Sequence, residues 1–379
     1  MKVLYVGTDA QVCGASFSMV KLIEELDSRG VKVIPVVHRG NTDNLLTQKG
    51  RTHYIVNAWS WIVSNSYSRA KKTIVMLSKK ALNIPCYFQY KAIIYKEKPD
   101  IVHLNALTSY SAAKAAIDSG IPIVWHIREM IEEDLNSSFW NQREAHSLMK
   151  KADCFIAISR CVEEKYKRVV GADRIRCIYN GVDVDRFLRE DHTAFSDKSV
   201  VITMAGRINK SKGQLSSLQE LIPVLQANPN LILQFAGVGN DSEIQAIKDC
   251  RDSAGISEER VKLLGFVEDM DRLWGETDIA LVYSKFEAFG RVTIEAKMGG
   301  ALVVGYNSGG TTELIENGVD GYLFGNGNKS LRETVELILM NPRQAATVAV
   351  QGREKVKTVF TSENNAIQIE RLYKEILDK

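Results

Sequence analysis

Short apolar segments alternate with helical segments along this chain, and that alternation limits the folds available to it. KVLYVG (2–7), DIVHLNA (100–106) and ADCFIAIS (152–159) have the continuous apolar character of strands buried on both faces. Amphipathic segments such as 16–30 lie between such strands. This order predicts parallel sheets with helices on both faces.

The pattern begins again near SVVITMAGR (199–207), and a chain of 379 residues exceeds the size at which single cores stop growing. We therefore predict two doubly wound α/β units, joined around 180–198 and facing each other across a cleft lined by strand-end loops. A terminal helix over 361–379 could pack on either unit. Its predicted apolar face contains Ile367, Leu372, Ile376 and Leu377.

Composition and charge exclude several classes of protein. A net charge of +3 does not indicate a nucleic-acid binder. The opening MKVLYVGTDA resembles a strand rather than a signal peptide, and no run of 18 apolar residues predicts a transmembrane helix. The six cysteines form no CxxC pair and fit no zinc spacing. Together these features predict a cytoplasmic protein with reduced thiols.

Two strand-end loops carry candidate anion sites. In AGRINKSKG (205–213), Arg207 and Lys212 flank a small polar loop before a helix, which suits a phosphate clamp. A solvated basic turn is the alternative. In GTDAQVCGAS (7–16), Gly14 and the amides after it could bind an anion at a helix N-terminus, or Gly14 could be a turn glycine.

Two other patterns resemble cofactor or metal sites but fit them poorly. GVGNDSE (237–243) follows a strand, yet Ser242 stands where the dinucleotide fingerprint needs its third glycine. DVD (183–185) resembles a metal-binding DxD, but Val182 and Phe187 flank it as packing residues. We expect no nicotinamide site and no metal site.

His126 ends the apolar strand in VWHIREM (124–130). Strand ends of a doubly wound domain face the ligand crevice, so the ring could contact a ligand. A buried histidine with satisfied hydrogen bonds is an equally good interpretation. The sequence leaves both open.

Glu287 and Glu295 lie eight residues apart around Phe289-Gly290. If the whole segment were helical, their Cα atoms would be about 12 Å apart, which is strained for the carboxyl pair of a glycoside hydrolase. A loop at Glu287 with Glu295 in the following helix would let the acids hold two hydroxyl-bearing ends of one ligand. A nucleotide-sugar has that form.

The C-terminal half then resembles a known family. EAFGRVTIE (287–295), GGTTE (309–313) and NGVDGYLF (317–324) are similar to segments of the retaining GT-B glycosyltransferases, the large "glycosyl transferases group 1" family. GRINKSKG (206–213) and LGFVED (264–269) fit in the same order. The resemblance implies two Rossmann-like domains, with residues 1–183 plus 361–379 binding the acceptor and residues 184–360 binding the nucleotide-sugar.

The resemblance also implies roles for single residues. Arg207 and Lys212 would hold the diphosphate, Glu287 would contact the donor sugar, and His126 would lie beside the reacting sugar carbon. The remaining donor-binding residues would be Gly14, Phe266, Val267, Phe289, Gly290, Arg291 and Glu295. The chain departs from the usual pattern in having CGA (13–15) in the first loop, Ala288 for a frequent glycine and Leu302 for a frequent proline.

The implied reaction moves a sugar from a nucleotide-sugar, with UDP the expected nucleotide, to an acceptor hydroxyl with retention of anomeric configuration. No metal or other cofactor is expected, and the implied pathway is assembly of cell-surface polysaccharide or glycolipid. The same architecture hosts nucleotide-sugar epimerases and phosphorylases, and a non-catalytic partner that binds nucleotide-sugar is a further alternative.

Residues 59–98 interleave aromatic and basic side chains, among them Trp59, Phe88, Lys71 and Lys80. Basic amphipathic helices of this kind can lie on anionic membranes, which would suit a lipid-linked acceptor and a peripheral protein on the inner face of the membrane. A packed helical pair with solvated lysines is the alternative.

Overall fold

The computed structural model describes residues 1–7 and 14–378. The chain divides into two compact units. The N-terminal unit comprises Met1–Gly181 and Ser362–Lys379, and the C-terminal unit comprises Val182–Thr361.

A parallel sheet forms the centre of the N-terminal unit. Its strands are β1 (Lys2–Val6), β2 (Lys32–Val37), β3 (Tyr54–Ile55), β5 (Ile101–Leu104), β6 (Ile123–Ile127), β8 (Cys154–Ala157) and β9 (Ile175–Cys177). Within the described residues the strand order is β3-β2-β1-β5-β6-β8-β9. β4 (Ile62–Ser64) and β7 (Ser137–Phe139) form a separate antiparallel pair. The central strands are buried along their whole length, which explains their continuous apolar sequences.

Seven helices surround this sheet in the described part of the chain. They are α1 (Gly14–Ser28), α2 (Asn41–Gln48), α3 (Arg69–Glu97), α4 (Tyr110–Ile117), α5 (Gln142–Met149), α6 (Arg160–Val170) and α15 (Ser362–Leu377). The terminal helix α15 packs on α1, where Ile369, Leu372 and Tyr373 join one apolar cluster with Leu22 and Leu26. No helix among the described residues combines the length and the apolar character needed to cross a membrane.

The C-terminal unit repeats the architecture. Its strands are β10 (Val200–Ala205), β11 (Leu231–Ala236), β12 (Val261–Gly265), β13 (Ile279–Val282), β14 (Leu302–Tyr306) and β15 (Tyr322–Phe324). Its helices are α7 (Val184–Phe187), α8 (Gln214–Ala227), α9 (Asp241–Ser253), α10 (Met270–Gly275), α11 (Arg291–Met298), α12 (Thr311–Leu314), α13 (Leu331–Met340) and α14 (Pro342–Val359). The parallel strands run in the order β12-β11-β10-β13-β14-β15, so the winding reverses between β10 and β13.

A buried ion pair ties α11 to the turn before β15. The Lys297 ammonium, almost wholly buried, donates hydrogen bonds to the Asp320 carboxylate (2.8 Å) and to the Leu314 carbonyl oxygen (2.7 Å). Lys355 approaches the second Asp320 oxygen from α14. The Lys297–Asp320 pair therefore holds the last turn of α11, the helix that begins after Gly290.

Candidate functional site

Three loops meet at the carboxyl edge of the C-terminal sheet. Segment 206–213 follows β10 and segment 283–290 follows β13, and these two strands are neighbours. The Gly310 amide, in the loop after β14, donates to the Glu287 carbonyl oxygen at 2.7 Å. In open α/β sheets, ligands bind where the strand order reverses, so this edge is the candidate site of the unit.

Side chains of the loop itself hold the segment after β10 in place. The Asn209 carboxamide oxygen accepts from the Ser211 hydroxyl (2.8 Å) and the Lys212 amide (2.9 Å). The buried Gln214 side chain donates to the Arg207 carbonyl oxygen (3.1 Å) and accepts from the Asn209 amide (3.2 Å). The loop therefore presents its two cations from a fixed backbone.

Lys212 and Glu287 form an ion pair, with 2.7 Å between the Lys212 Nζ and the Glu287 Oε2. The Lys212 side chain is 35% exposed and that of Glu287 19% exposed. A Cβ on Gly309 would lie 2.8 Å from the Glu287 carbonyl oxygen, so a glycine there lets the two loops approach. Because an ammonium group carries three donors, Lys212 can bind a second anion while it keeps Glu287.

Arg207 is exposed and takes part in no ion pair among residues 1–7 and 14–378. Its backbone neighbour Gly206 lies against Gly237, where a Cβ would come within 1.9 Å of the Gly206 carbonyl oxygen. The Gly206 amide also donates to the Ala236 carbonyl oxygen at 2.9 Å. The guanidinium group is thus exposed to solvent on a backbone that two strands hold in place.

Phe266 and Val267 directly follow β12 at the same edge of the sheet. The Phe266 ring is 75% exposed, and Val267 is half-buried. The Gly265 carbonyl oxygen accepts from the Gly237 amide at 2.7 Å, which connects this strand end to the loop after β11. An exposed aromatic ring beside a fixed strand end offers a flat surface on which a base could stack.

Phe289 and Gly290 occupy the start of α11. Phe289 is only 3% exposed, and its ring meets that of Phe360 edge-on at 6.2 Å between centroids. Gly290 has a φ of 98° as the residue that caps α11, a conformation that favours glycine. Because the ring is packed inside the unit, Phe289 can offer a ligand its backbone but not its aromatic face.

Arg291 and Glu295 pair with each other one turn apart on α11, with 2.5 Å between Arg291 Nε and Glu295 Oε1. Glu295 is 7% exposed. Each carboxylate of the pair singled out in the sequence therefore has its own cation: Lys212 for Glu287 and Arg291 for Glu295. Glu287 lies in the loop and Glu295 in the helix, the arrangement that lets them contact different parts of one ligand.

His126 lies on β6 in the N-terminal unit and is fully buried. Its Nδ1 is 3.2 Å from Nε2 of His103 and 3.4 Å from an Arg128 guanidinium nitrogen, while its Nε2 has no hydrogen-bond partner in the described part of the chain. Burial, together with the charge on Arg128, holds the pKa of His126 well below its usual range. The ring is neutral at physiological pH.

The polar network around His126 was not identified from the sequence. His103 on β5 contacts the Tyr373 hydroxyl at 2.6 Å, so a residue of the last helix joins the network. Arg128 donates to Asn105 (2.8 Å) and to Asn180 (2.6 Å). A signal existed, because DIVHLNA and VWHIREM each place a histidine on a buried strand.

Gly14 is the first residue of α1, and residues 8–13 before it lie outside the described residues. The structure therefore says nothing of an anion site there. Asp183 and Asp185 lie at the start of α7, between the buried Val182 and Phe187. Within the described ranges, no three His, Cys, Asp or Glu side chains are grouped as metal ligands would be.

Two family descriptions cover most of the sequence. "Glycosyl transferases group 1" matches residues 185–355, and "Glycosyltransferase Family 4" matches residues 12–186. The chain belongs to the group 1 glycosyltransferases. This confirms the family predicted from the segments around Glu287 and Glu295.

Known structures confirm the GT-B fold of this glycosyltransferase. The structure of Anabaena Alr3699/HepE in complex with UDP and glucose matches 99% of this chain and 100% of its own, with a TM-score of 0.80 and 22% sequence identity.

Curated relatives of the glycosyltransferase come from several bacteria. N-acetyl-alpha-D-glucosaminyl L-malate synthase of Bacillus anthracis is 25% identical over 296 residues, which are 75% of this chain and 77% of the relative. The capsular polysaccharide biosynthesis glycosyltransferase CapM of Staphylococcus aureus is 24% identical over 206 residues, 52% of this chain and about half (53%) of the relative.

Proposed function

We propose that this glycosyltransferase moves a sugar from a nucleotide-sugar, with UDP as the nucleotide, to an acceptor hydroxyl with retention of anomeric configuration. The observation that supports this most directly is the Lys212–Glu287 pair at the point where the sheet of the C-terminal unit reverses. A cation for phosphate and a carboxylate for sugar hydroxyls stand there side by side. The neighbour HepE was solved with UDP and glucose, which fits the same ligand class.

The diphosphate would lie between Arg207 and Lys212. Arg207 is exposed with its donors in solvent, and Lys212 keeps two N–H donors beyond the one that Glu287 accepts. Both cations would stabilise the charge that develops on the leaving phosphate. Loss of one such donor lowers kcat by about 100-fold to 1,000-fold in comparable sites.

The rest of the donor would extend along the same edge. Glu287, with the backbone of Phe289 and Gly290, would contact the sugar hydroxyls. Glu295, oriented by Arg291, would accept from the ribose hydroxyls. The base would stack near Phe266 and Val267, where an aromatic face is already exposed.

The bond changes need no side-chain base. The bond between the anomeric carbon and the phosphate oxygen breaks, the acceptor oxygen bonds to that carbon on the same face, and the acceptor proton passes to the leaving phosphate. Arg207 and Lys212 would offset the charge of the phosphate, so we propose a reaction that requires no metal. The family resemblance assigns His126 and Gly14 to the sugar, and we propose the same roles here, with His126 as a hydrogen-bond donor.

The acceptor we propose is a glycan or a lipid-linked glycan in the assembly of cell-surface polysaccharide. The CapM relative has a capsular polysaccharide role in its name, which supports this class of acceptor, whereas the name of the Bacillus anthracis relative contains a small molecule, malate. The protein would act from the cytoplasm.

Incubation of the protein with a panel of nucleotide-sugars, followed by measurement of nucleoside diphosphate release, tests the proposal. Lys212→Ala and Glu287→Ala should each slow release at least 100-fold. Lys210→Ala, at an exposed lysine two residues away, is the matched control and should keep full activity. Release that resists EDTA and a product with the donor's anomeric configuration by NMR are expected. Wild-type rates in both variants would overturn the assignment of the site.

A further inference from the structure

The long helix α3 of the N-terminal unit exposes an apolar stripe. Its buried side chains Cys86, Tyr90, Ile93 and Ile94 pack inward. The opposite side carries apolar residues at helical spacing that are exposed to solvent. These are, with their exposed fractions, Ile74 (67%), Leu77 (58%), Ile84 (60%), Phe88 (63%) and Tyr95 (82%), together with the exposed Ala81.

This set, called the α3 stripe below, is not a scatter of single residues. The members recur every three, four or seven positions, so they share one face of the helix. From Ile74 to Tyr95 the face extends about 32 Å at 1.5 Å per residue. An apolar face of that length on a protein surface marks an interaction site.

The charged side chains that α3 itself carries are basic as far as Lys96, whereas Asp118 and Glu144 of neighbouring elements contact Tyr87 and Lys80 of the helix. No acidic residue occurs from Arg69 to Lys96, whereas lysines flank the stripe near both ends. Of these, Lys71, Lys72 and Lys96 form no ion pair with a carboxylate in the part of the chain that the structure describes. Lys80, nearer the middle, is paired with Glu144 at 3.4 Å.

Two occupants of the α3 stripe can be compared by their charge: a second copy of this chain and an anionic lipid surface. A second copy of the chain would bring the same lysines against each other, and the one acid of α3, Glu97, already accepts from the Tyr54 hydroxyl, so this juxtaposition costs free energy. An anionic lipid surface satisfies both features at once, because the apolar face enters the acyl boundary while the lysines meet the headgroups.

We propose that the α3 stripe and its flanking lysines dock this protein on an anionic lipid bilayer. Phe88 and Tyr95 would enter the interface, and the helix would lie in the plane of the membrane. The inference rests on the proposed function in one respect only: if the acceptor is lipid-linked, docking brings the protein to it at the bilayer. Lipid binding itself does not need catalysis.

The test is co-sedimentation of the full chain with phosphatidylcholine vesicles, with and without phosphatidylglycerol. We expect binding to the anionic vesicles only. Leu77→Ser combined with Phe88→Ser should weaken this binding at least tenfold, whereas Met340→Ser, at a 76% exposed residue of the C-terminal unit, should not.

Charge is tested separately. Lys71→Glu with Lys96→Glu should weaken binding at least tenfold, and Lys198→Glu with Lys329→Glu, which changes net charge equally at exposed lysines of the C-terminal unit, should not. Circular dichroism verifies the folding of each variant.

Equal binding to both kinds of vesicle, or to neither, would overturn the proposal. A wild-type dimer in analytical ultracentrifugation that the Leu77→Ser and Phe88→Ser variant abolishes would assign the stripe to a second copy instead. Release of nucleoside diphosphate in solution is measured without lipid, so failure of membrane docking and failure of the proposed reaction are distinguishable.

Discussion

Lys212 and Glu287 are 75 residues apart in the chain, yet the ammonium nitrogen of one lies 2.7 Å from a carboxylate oxygen of the other. They meet because β10 and β13 are adjacent in the sheet, although β11 and β12 lie between them along the chain. The pair therefore depends on the strand order of the C-terminal unit. It also predicts that the two side chains act as one unit in the proposed reaction.

A double-mutant cycle measures that coupling. Lys212→Ala and Glu287→Ala should each reduce kcat/KM at least 100-fold, but the double variant should lose far less than the product of the two losses, because each single variant already disrupts the pair. Donor turnover at low nucleotide-sugar concentration gives the four values. Strictly multiplicative losses would show that the two residues act independently.

Phe266 and Phe289 should respond differently to truncation, because one is 75% exposed and the other 3%. Phe266→Ala should raise the donor KM about tenfold through loss of base stacking and change the free energy of unfolding by less than about 0.5 kcal/mol. Phe289→Ala should lower the free energy of unfolding by about 3–5 kcal/mol. Donor kinetics and urea unfolding on both variants make the comparison.

Local sequence was sufficient to find the strands, their end loops and the residues on those loops. Arg207, Lys212 and Glu287 could be singled out because each lies in the loop that follows a buried apolar strand. The family then followed from the order of the segments. The ion pairs that join these loops could not be predicted, since they depend on which strands become neighbours.

The sequence alone does not predict which residues become buried by parts of the chain that are distant in sequence. Lys297, two residues after Glu295, would be assigned to a solvated face by its charge, yet it is buried with Asp320. In α15, the apolar pattern included Leu377, which is 41% exposed, and omitted Tyr373, which is fully buried and reaches His103 across 270 residues. For 59–98 the alternative of a helical pair was wrong in its number of helices, because one helix, α3, spans most of the segment, whereas its packed apolar face is present at Cys86, Tyr90 and Ile93.

Lys297 and Lys355 both pair with Asp320, so they test how burial changes the contribution of an ion pair to the free energy of unfolding. Burial lowers the pKa of Lys297 to about 8, even though Asp320 opposes the shift. Lys297→Met leaves a buried carboxylate short of a partner and should lower the free energy of unfolding by about 3 kcal/mol. Lys355→Met, at a 39% exposed side chain, should cost less than about 1 kcal/mol. Equal losses in urea unfolding would contradict this.

The stability of the N-terminal unit should fall in mild acid. Burial, with the charge on Arg128, holds the pKa values of His103 and His126 well below that of an unfolded histidine, which is about 6.5. Below that pH the unfolded chain binds protons that the folded chain does not, so each histidine removes about 1.4 kcal/mol per pH unit.

Urea unfolding between neutral and mildly acidic pH measures this loss. Tryptophan fluorescence reports mainly on the N-terminal unit, which contains four of the five tryptophans, at 59, 61, 125 and 140. His126→Gln should remove about half of the pH dependence contributed by the buried pair. If the free energy of unfolding depends on pH in that variant as it does in the wild type, the pKa of His126 is not lowered by folding.

The contacts of His126 fix its tautomer. A guanidinium group can only donate hydrogen bonds, so Nδ1 of His126, which faces Arg128 and His103, is the acceptor. The proton is then on Nε2, the ring nitrogen without a partner in the described residues. The chain of bonds is consistent, because His103 can accept from the Tyr373 hydroxyl at Nδ1 and donate from Nε2.

If this Nε2–H group donates to the substrate in the proposed reaction, two replacements that each imitate one ring nitrogen should differ in kcat. The amide nitrogen of His126→Gln lies near the position of Nε2 and should retain kcat within about tenfold, whereas His126→Asn imitates only Nδ1 and should lose about 100-fold, a range typical of a lost donor. Long-range ¹H–¹⁵N NMR of the wild-type protein should show Nε2–H for both buried histidines. A protonated Nδ1 on His126, or equal activity in the two variants, would remove the assigned role, because neither fits a donor at Nε2.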